Sequence, residues 1–135
     1  VKEGFRELRY HQPPWLSSPV VASDELLARD RTMLRAFLRA VIKGHLYYGH
    51  YPAQAIALTQ KVQRIESPAV AKQIYDDDML RHNPGGGLED AAMRKVVERS
   101  REMLKVQRKV ELNEIFDLSM AKEAGAELKR AKWEP

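Results

Sequence analysis

An apolar stripe between residues 33 and 46 constrains this chain more than any other feature. Apolar side chains recur there at steps of one, three and four, which places them along one side of an α-helix. The positions are Met33, Leu34, Phe37, Leu38, Val41, Ile42 and Leu46. Asp30 and Thr32 stand just before the stripe, and short polar side chains of this kind accept hydrogen bonds from the unpaired N–H groups of a first turn. The pattern predicts a long helix at about residues 32–48.

Start signals and apolar spacing predict further helices on both sides of this one. Ser23 is followed by two acids, which is typical of a helix start. Pro52 and Pro68 stand where a first turn requires no N–H donor. The full set of predicted helices lies at about residues 24–29, 32–48, 52–63, 68–81, 88–108, 112–116 and 119–131. The chain is therefore expected to be mainly α.

The N-terminal segment has a different pattern. Two prolines and a tryptophan occupy residues 13–15, and Pro19 follows soon after. Because proline blocks long helices, short strands and loops are expected here. The sequence thus predicts a strand-containing segment at 1–22 and a helical part at 23–135, within one structural domain.

Composition limits the size and the class of the protein. A chain of 135 residues, with 44% hydrophobic and 31% charged residues, is typical of one globular domain. There is no cysteine, which excludes disulfides and thiolate chemistry. The net charge is +4, but basic and acidic residues alternate along the predicted helices, as at residues 98–102. That alternation is typical of a solvated helix surface and does not favour a nucleic-acid partner.

Two runs of identical residues suggest ligand sites, but each lacks a required part. The glycines at 85–87 follow a predicted helix and precede acidic residues, whereas a phosphate loop follows a strand and precedes Lys and Ser or Thr. The aspartates at 76–78 are consecutive, so on a helix their side chains point roughly 100° apart and cannot converge on one ion. We interpret the first run as a flexible connector and the second as a solvated acidic surface.

Histidine and serine positions do not indicate a reaction centre either. The histidines are His11, His45, His50 and His82. The nearest pair, His45 and His50, is five residues apart, which separates the rings around a helix instead of pairing them on one face. No serine lies in a Gly-x-Ser-x-Gly turn. The sequence predicts no metal, no cofactor and no catalytic residue, and the protein is not expected to be an enzyme.

Short motifs in a fixed order extend along nearly the whole chain. They lie at residues 4–8 (GFREL), 20–27 (VVASDELL), 35–40 (RAFLRA), 43–44 (KG), 52–56 (PAQAI), 116–119 (FDLS) and 123–124 (EA). This ordered set resembles the periplasmic solute-binding proteins of ABC transporters, in the class that binds nitrate, sulfonates, taurine and thiamine precursors. Members of that class have two α/β lobes around a cleft (the type II arrangement). The chain resembles their C-terminal portion only.

The resemblance implies the solute-binding component of an ABC transporter, located in the periplasm or elsewhere outside the cytoplasm, with its export signal upstream. Its partners would be a small, anionic or polar organic solute and the ABC permease at the membrane. Segments near 5–10 and 20–22 would form the hinge between lobes. A loop at such a junction can present an aromatic face and hydroxyl groups, so Trp15, Ser17 and Ser18 are the candidate ligand contacts. The other interpretation places Trp15 in the apolar core.

A second hypothesis belongs to a different class of protein. A chain of this length that lacks the first lobe is expected to leave part of its apolar surface bare, and large bare patches promote association. The chain would then be a free-standing α-helical module that forms a homodimer or holds a protein partner. Tyr47, Tyr48 and Tyr51 are expected to pack helix against helix with their hydroxyls at the surface.

Overall fold

The computed structural model describes residues 19–85 and 89–135. These residues form six α-helices and one 3₁₀ helix. The α-helices are α1 (Asp24–Arg29), α2 (Arg31–His50), α3 (Pro52–Gln63), α4 (Pro68–Met79), α5 (Asp90–Leu104) and α6 (Ser119–Arg130), and the 3₁₀ helix is Leu112–Glu114. The mainly helical prediction is confirmed for this part of the chain.

Local side chains fix where the helices begin. Ser23, Asp30 and Ser67 each precede a helix, and their side-chain oxygens accept a hydrogen bond from the backbone N–H three residues later. Pro52 and Pro68 open α3 and α4. The helix starts that these residues predict are therefore confirmed, and Asp30 both ends α1 and begins α2.

Helix ends agree less well with the prediction. The sequence predicts a helix through residue 108, but α5 ends at Leu104 because Lys105 adopts a left-handed conformation with φ 55°. Its N–H and that of Val106 close the last turn by donating to the carbonyl oxygens of Arg101 and Glu102. Glycine usually marks such an end, so a lysine in its place leaves no signal in the sequence. The helix predicted at 112–116 is a single 3₁₀ turn.

The chain divides into two compact units. The first unit contains, among the described residues, 19–21 and 89–116, with α5 and the 3₁₀ helix in contact and Met93 and Val97 buried on α5. The second unit contains residues 22–85 and 117–135, and so α1 to α4 together with α6. The predicted division at residue 22 remains a prediction.

Helix α2 is the centre of the second unit. It packs most extensively on α6, touches α1 and α3, and α3 packs in turn against α4. One buried cluster combines Ile42 of α2 with Ala124 and Leu128 of α6. The other buried residues of this unit are Leu34, Ala55, Thr59, Ala71, Tyr75 and Met120. A long amphipathic helix therefore organises this unit, as the stripe between residues 33 and 46 suggests.

One predicted element is corrected. Residues 20–22 were expected to form part of a strand, but they lie in neither a helix nor a strand. Val20 and Val21 are exposed, and the residues that the structure describes contain no other strand with which they could pair. The strand expected near residues 5–10 lies outside the described part of the chain.

Within 19–85 and 89–135, the helices are all too short or too polar to cross a bilayer.

Candidate functional site on helix α2

The inner face of α2 is covered by α6. Leu34 and Ile42 are buried, and Leu38 and Leu46 pack against the cluster that contains Ile42. Trp133, just beyond α6, packs against the same cluster. Four of the seven positions in the predicted apolar stripe are thus buried or packed against this cluster.

Ion pairs border this inner face. The guanidinium of Arg35 lies 3.6 Å from the carboxylate of Glu123 and 3.8 Å from that of Glu127. The guanidinium of Arg39 donates a hydrogen bond to the Glu127 carboxylate. Arg35 and Arg39 are four residues apart on α2, and they face Glu123 and Glu127, which are four residues apart on α6 in the same order. The two helices therefore run in the same direction. The hydrogen bond from Arg39 lowers the pKa of the Glu127 carboxyl below its usual value. The cationic side chains of Arg35 and Arg39 are therefore engaged by α6.

On the opposite, outer face of α2, the large side chains are nearly half exposed. Met33, Phe37 and Tyr47 are 43%, 48% and 44% exposed. Smaller residues continue the same side of the helix, namely Ala36, Ala40 and Gly44. At roughly 100° per residue these six positions fall within about 100° of arc, and no charged residue interrupts them. We call Met33, Ala36, Phe37, Ala40, Gly44 and Tyr47 the outer face.

A polar and aromatic cluster joins α2 to α4. The rings of Tyr48 and Tyr75 lie 5.1 Å apart, and the Tyr75 hydroxyl donates to the backbone oxygen of Tyr48. The Tyr48 hydroxyl lies 3.3 Å from a carboxylate oxygen of Asp78. Burial raises the pKa of Tyr48, while a hydrogen bond with Thr59 acts in the opposite direction. All these groups find partners inside the protein, so the cluster joins helices and leaves no polar group directed at a ligand.

A close approach at Gly49 completes this junction. A Cβ at that position would lie 3.0 Å from Nε2 of His82 and 3.8 Å from the terminal methyl of Met79. Glycine therefore allows the segment after α4 to approach α2. The predicted role of Tyr48 in helix packing is confirmed, but Tyr47 belongs to the outer face.

The segment after α6 contacts the C-terminal half of α2 and the residue that follows it. The Lys43 ammonium lies 5.1 Å from the centre of the Trp133 ring, within the range of a cation–π contact. The Tyr51 hydroxyl donates a 2.8 Å hydrogen bond to the backbone oxygen of Pro135. This segment therefore extends the α2–α6 contact to the end of α2.

Some of the residues singled out in the sequence lie in the described ranges and others do not. Trp15, Ser17 and Ser18 lie outside the described residues, so their role as ligand contacts stays a prediction. The aspartates at 76–78 do not share one partner, since Asp76 pairs with Lys72 and Asp78 lies near Tyr48. In the glycine run, only Gly85 is described, and its N–H donates to the side chain of Asn83.

One histidine contact could not be predicted from the sequence. The rings of His45 and His82 lie 5.7 Å apart although the residues are far apart in the chain. No local spacing could have predicted this contact, because it depends on how α4 returns to α2. In the described ranges, no third His, Cys, Asp or Glu joins the pair to make a group that could hold a metal ion.

The first unit carries a second apolar surface. Met103 and Leu104 at the end of α5 are exposed. Arg101 pairs with Glu98 within α5, and Arg108 pairs with Glu114 beyond it. These ion pairs connect residues that are near in sequence, so they stabilise local structure.

Comparison with known proteins gives no family assignment. No protein-family model, no curated protein and no solved structure matches this chain.

Proposed function

We propose that this chain is the C-terminal helical portion of a periplasmic solute-binding protein of an ABC transporter, which captures a small anionic or polar organic solute for import. The observation that supports it most is the pattern of α2, which is apolar on two opposite sides. One side packs on α6 and the other is exposed. A helix that is apolar on a second side, away from its first partner, offers a surface on which a further segment of a larger protein can pack.

The positions of the resemblance motifs agree with this proposal. Residues 35–40 and 43–44 lie on α2, and residues 52–56 open α3. In the FDLS motif, Asp117 accepts a hydrogen bond from the Ser119 N–H at the start of α6, and hydrogen bonding to Ser119 lowers the pKa of Asp117. The motifs at residues 35–40, 43–44 and 52–56 therefore lie on helices of the second unit, and the motif at 4–8 lies outside the described residues.

The size of the outer face favours this proposal over a stable dimerisation module. An aromatic side chain contributes roughly 150–250 Å², so the half-exposed residues and their small neighbours offer roughly 400 Å² in total. Stable complexes bury about 800 Å² on each partner. A surface of this size is better suited to another segment of the same polypeptide, which needs no intermolecular affinity.

The coding sequence upstream of Val1 tests the proposal most directly. We expect it to encode an export signal and a first α/β lobe in the same reading frame. Calorimetry with nitrate, taurine and an alkanesulfonate should then show binding to the longer protein and none to the 135-residue chain, because the first lobe supplies much of the cleft. A reading frame without such a lobe contradicts the proposal, as does micromolar binding of one of these anions to the 135-residue chain.

The alternative function, a free-standing helical interaction module, is supported by the same exposed face. A tight symmetric dimer would support its homodimeric form. Light scattering at micromolar concentration tests for it, since a dimeric module is a dimer there and the binding-protein portion is a monomer.

A further inference from the structure

We propose that α6 exchanges between two copies of this chain, so that α6 of each copy packs on the inner face of α2 in the other. The pair is reciprocal, and each copy supplies the helix that covers the other. This inference does not rest on the transport function. It concerns the covered face of α2 and leaves the outer face unchanged.

The first argument is that one surface holds α6. Among the described residues, α2 is the helix on which α6 packs extensively. The buried residues of α6 recur every four positions, at Met120, Ala124 and Leu128, and the last two join Ile42 of α2 in one cluster. A second copy presents the same surface. Exchange therefore keeps the contacts between α2 and α6 and exposes no further apolar side chain.

The second argument is that charge specifies the direction and the register of the helix that this face accepts. Arg35 and Arg39 face Glu123 and Glu127 in the same order along the two helices. A helix in the opposite direction, or one displaced by a turn, would leave one of these charges without its partner. The inner face therefore selects a parallel helix with two carboxylates four residues apart, and α6 of a second copy is such a helix.

The third argument is the connection between α4 and α6. Residues 89–116 belong to the first unit and separate α6 in the sequence from the other helices of the second unit. Residues 115–118, which precede α6, lie in neither a helix nor a strand. A change of backbone conformation there can release α6 from α2 without breaking a helix.

The same connection sets the concentration at which exchange occurs. A segment tethered to its own binding surface acts at an effective concentration on the order of 1 mM. The contacts between α2 and α6 are the same in both forms, so a second copy competes only when it is about as concentrated. We therefore expect exchanged pairs to reach half of the protein near about 1 mM, and the chain to be a monomer at micromolar concentration.

Reversal of the charges on one side of the contact tests the exchange. One full-length variant carries Arg35→Glu and Arg39→Glu, and the other carries Glu123→Arg and Glu127→Arg. In each variant alone, like charges oppose its own α6. In a mixture, exchange gives two contacts with opposite charges. The mixture should therefore form pairs at a concentration about tenfold below that of the wild type, as measured by sedimentation equilibrium.

A matched control separates exchange from general attraction between differently charged proteins. Arg94→Glu with Arg99→Glu changes the net charge by the same amount at exposed positions on α5. Its mixture with the Glu123→Arg, Glu127→Arg variant should stay monomeric, because no complementary α2 face is present. Circular dichroism checks that each variant keeps its helix content. A charge-reversed mixture that associates no more than this control overturns the proposal.

Refolding of the wild type gives a test that does not depend on the variants. Unfolding in urea releases α6, so refolding at about 1 mM should trap exchanged pairs and refolding at about 10 µM should give monomers. Light scattering directly after dilution measures the difference, since return to the monomer requires α6 to leave α2 again. Monomers at both concentrations overturn the proposal. Neither result changes the expected upstream coding sequence.

Discussion

The two faces of α2 have similar side chains but different surroundings. On the inner face, Ile42 is buried against Ala124 and Leu128 of α6. On the outer face, Phe37 is about half exposed although it belongs to the same apolar stripe. Both faces would be favourable to bury, but among the described residues only the inner face carries buried side chains. The comparison shows that an apolar pattern marks a surface suited to packing and does not identify what packs there.

The position of charge separates the two faces as clearly as burial does. Arg35 and Arg39 border the inner face and meet glutamates of α6, whereas the outer face is free of charge. A helix face in contact with water is usually polar. The outer face of α2 therefore resembles an interface more than an ordinary surface.

Removing a large side chain from each face should give the largest contrast. Ile42→Ala should lower the free energy of unfolding by about 2–4 kcal/mol, because it leaves a cavity against α6. Phe37→Ala should change it by less than about 1 kcal/mol, because half of the ring is already in water. Urea denaturation of both variants measures the difference. Equal losses would falsify the assignment of a covered and an uncovered face.

Two glycines compare an open helix surface with a crowded one. A Cβ at Gly125 of α6 would have no atom within 4 Å, so Gly125→Ala should raise stability by about 0.5–1 kcal/mol through helix propensity. At Gly49, a Cβ would approach the His82 ring to 3.0 Å. In Gly49→Ala, this crowding should offset the gain in helix propensity. The free energy of unfolding should therefore stay the same or fall by up to about 1 kcal/mol.

Thermal melting of the two glycine variants checks this prediction. Far-ultraviolet circular dichroism of each variant serves as the control for retained helix content. A melting temperature that rises equally in both variants would show that the segment around His82 yields at no cost, and that the close approach at Gly49 does not hold α4 to α2.

The smallest effect is expected from the charged border of the inner face. The hydrogen bond from Arg39 lowers the pKa of Glu127 in the folded protein. The contribution of this carboxylate to stability should therefore be complete above its unfolded pKa of roughly 4.3 and disappear as pH falls through the lower folded pKa. Both side chains are partly exposed, so the effect is small and reduced by salt.

Urea denaturation of the wild type and Glu127→Gln, at several pH values between neutral and acidic, measures this contribution. The difference between the two proteins should be largest near neutral pH and should vanish at acidic pH. Glu123→Gln is the matched variant, since Glu123 is more exposed and contacts Arg35 alone at 3.6 Å. A difference that stays constant with pH would show that the carboxylate does not act through its charge.

Much of the fold could be predicted because helix starts depend on nearby residues. Ser23, Asp30 and Ser67 cap the helices that they precede, and Pro52 and Pro68 open theirs. The end of α5 could not be predicted, because Lys105 adopts a conformation that its side chain does not favour. The strand expected at residues 20–22 was wrong because a strand needs a neighbour, and local composition does not supply one.

The candidate site could be predicted only in part. The stripe between residues 33 and 46 correctly identified α2, but it did not indicate that Leu34 is buried and Phe37 exposed. The contact between His45 and His82 was missed, since the two residues are distant in the chain and only the return of α4 to α2 brings them together. The ligand contacts expected at Trp15, Ser17 and Ser18 remain predictions.

By itself, the sequence determined which segments are helical, where most of them begin and which sides of them are apolar, because these properties depend on residues within a few positions of one another. Only the tertiary structure decided that α6 runs in the same direction as α2 and covers one of its faces. The physical reason is that local hydrogen bonds and spacing fix a helix, whereas its burial depends on distant segments that can pack in more than one way.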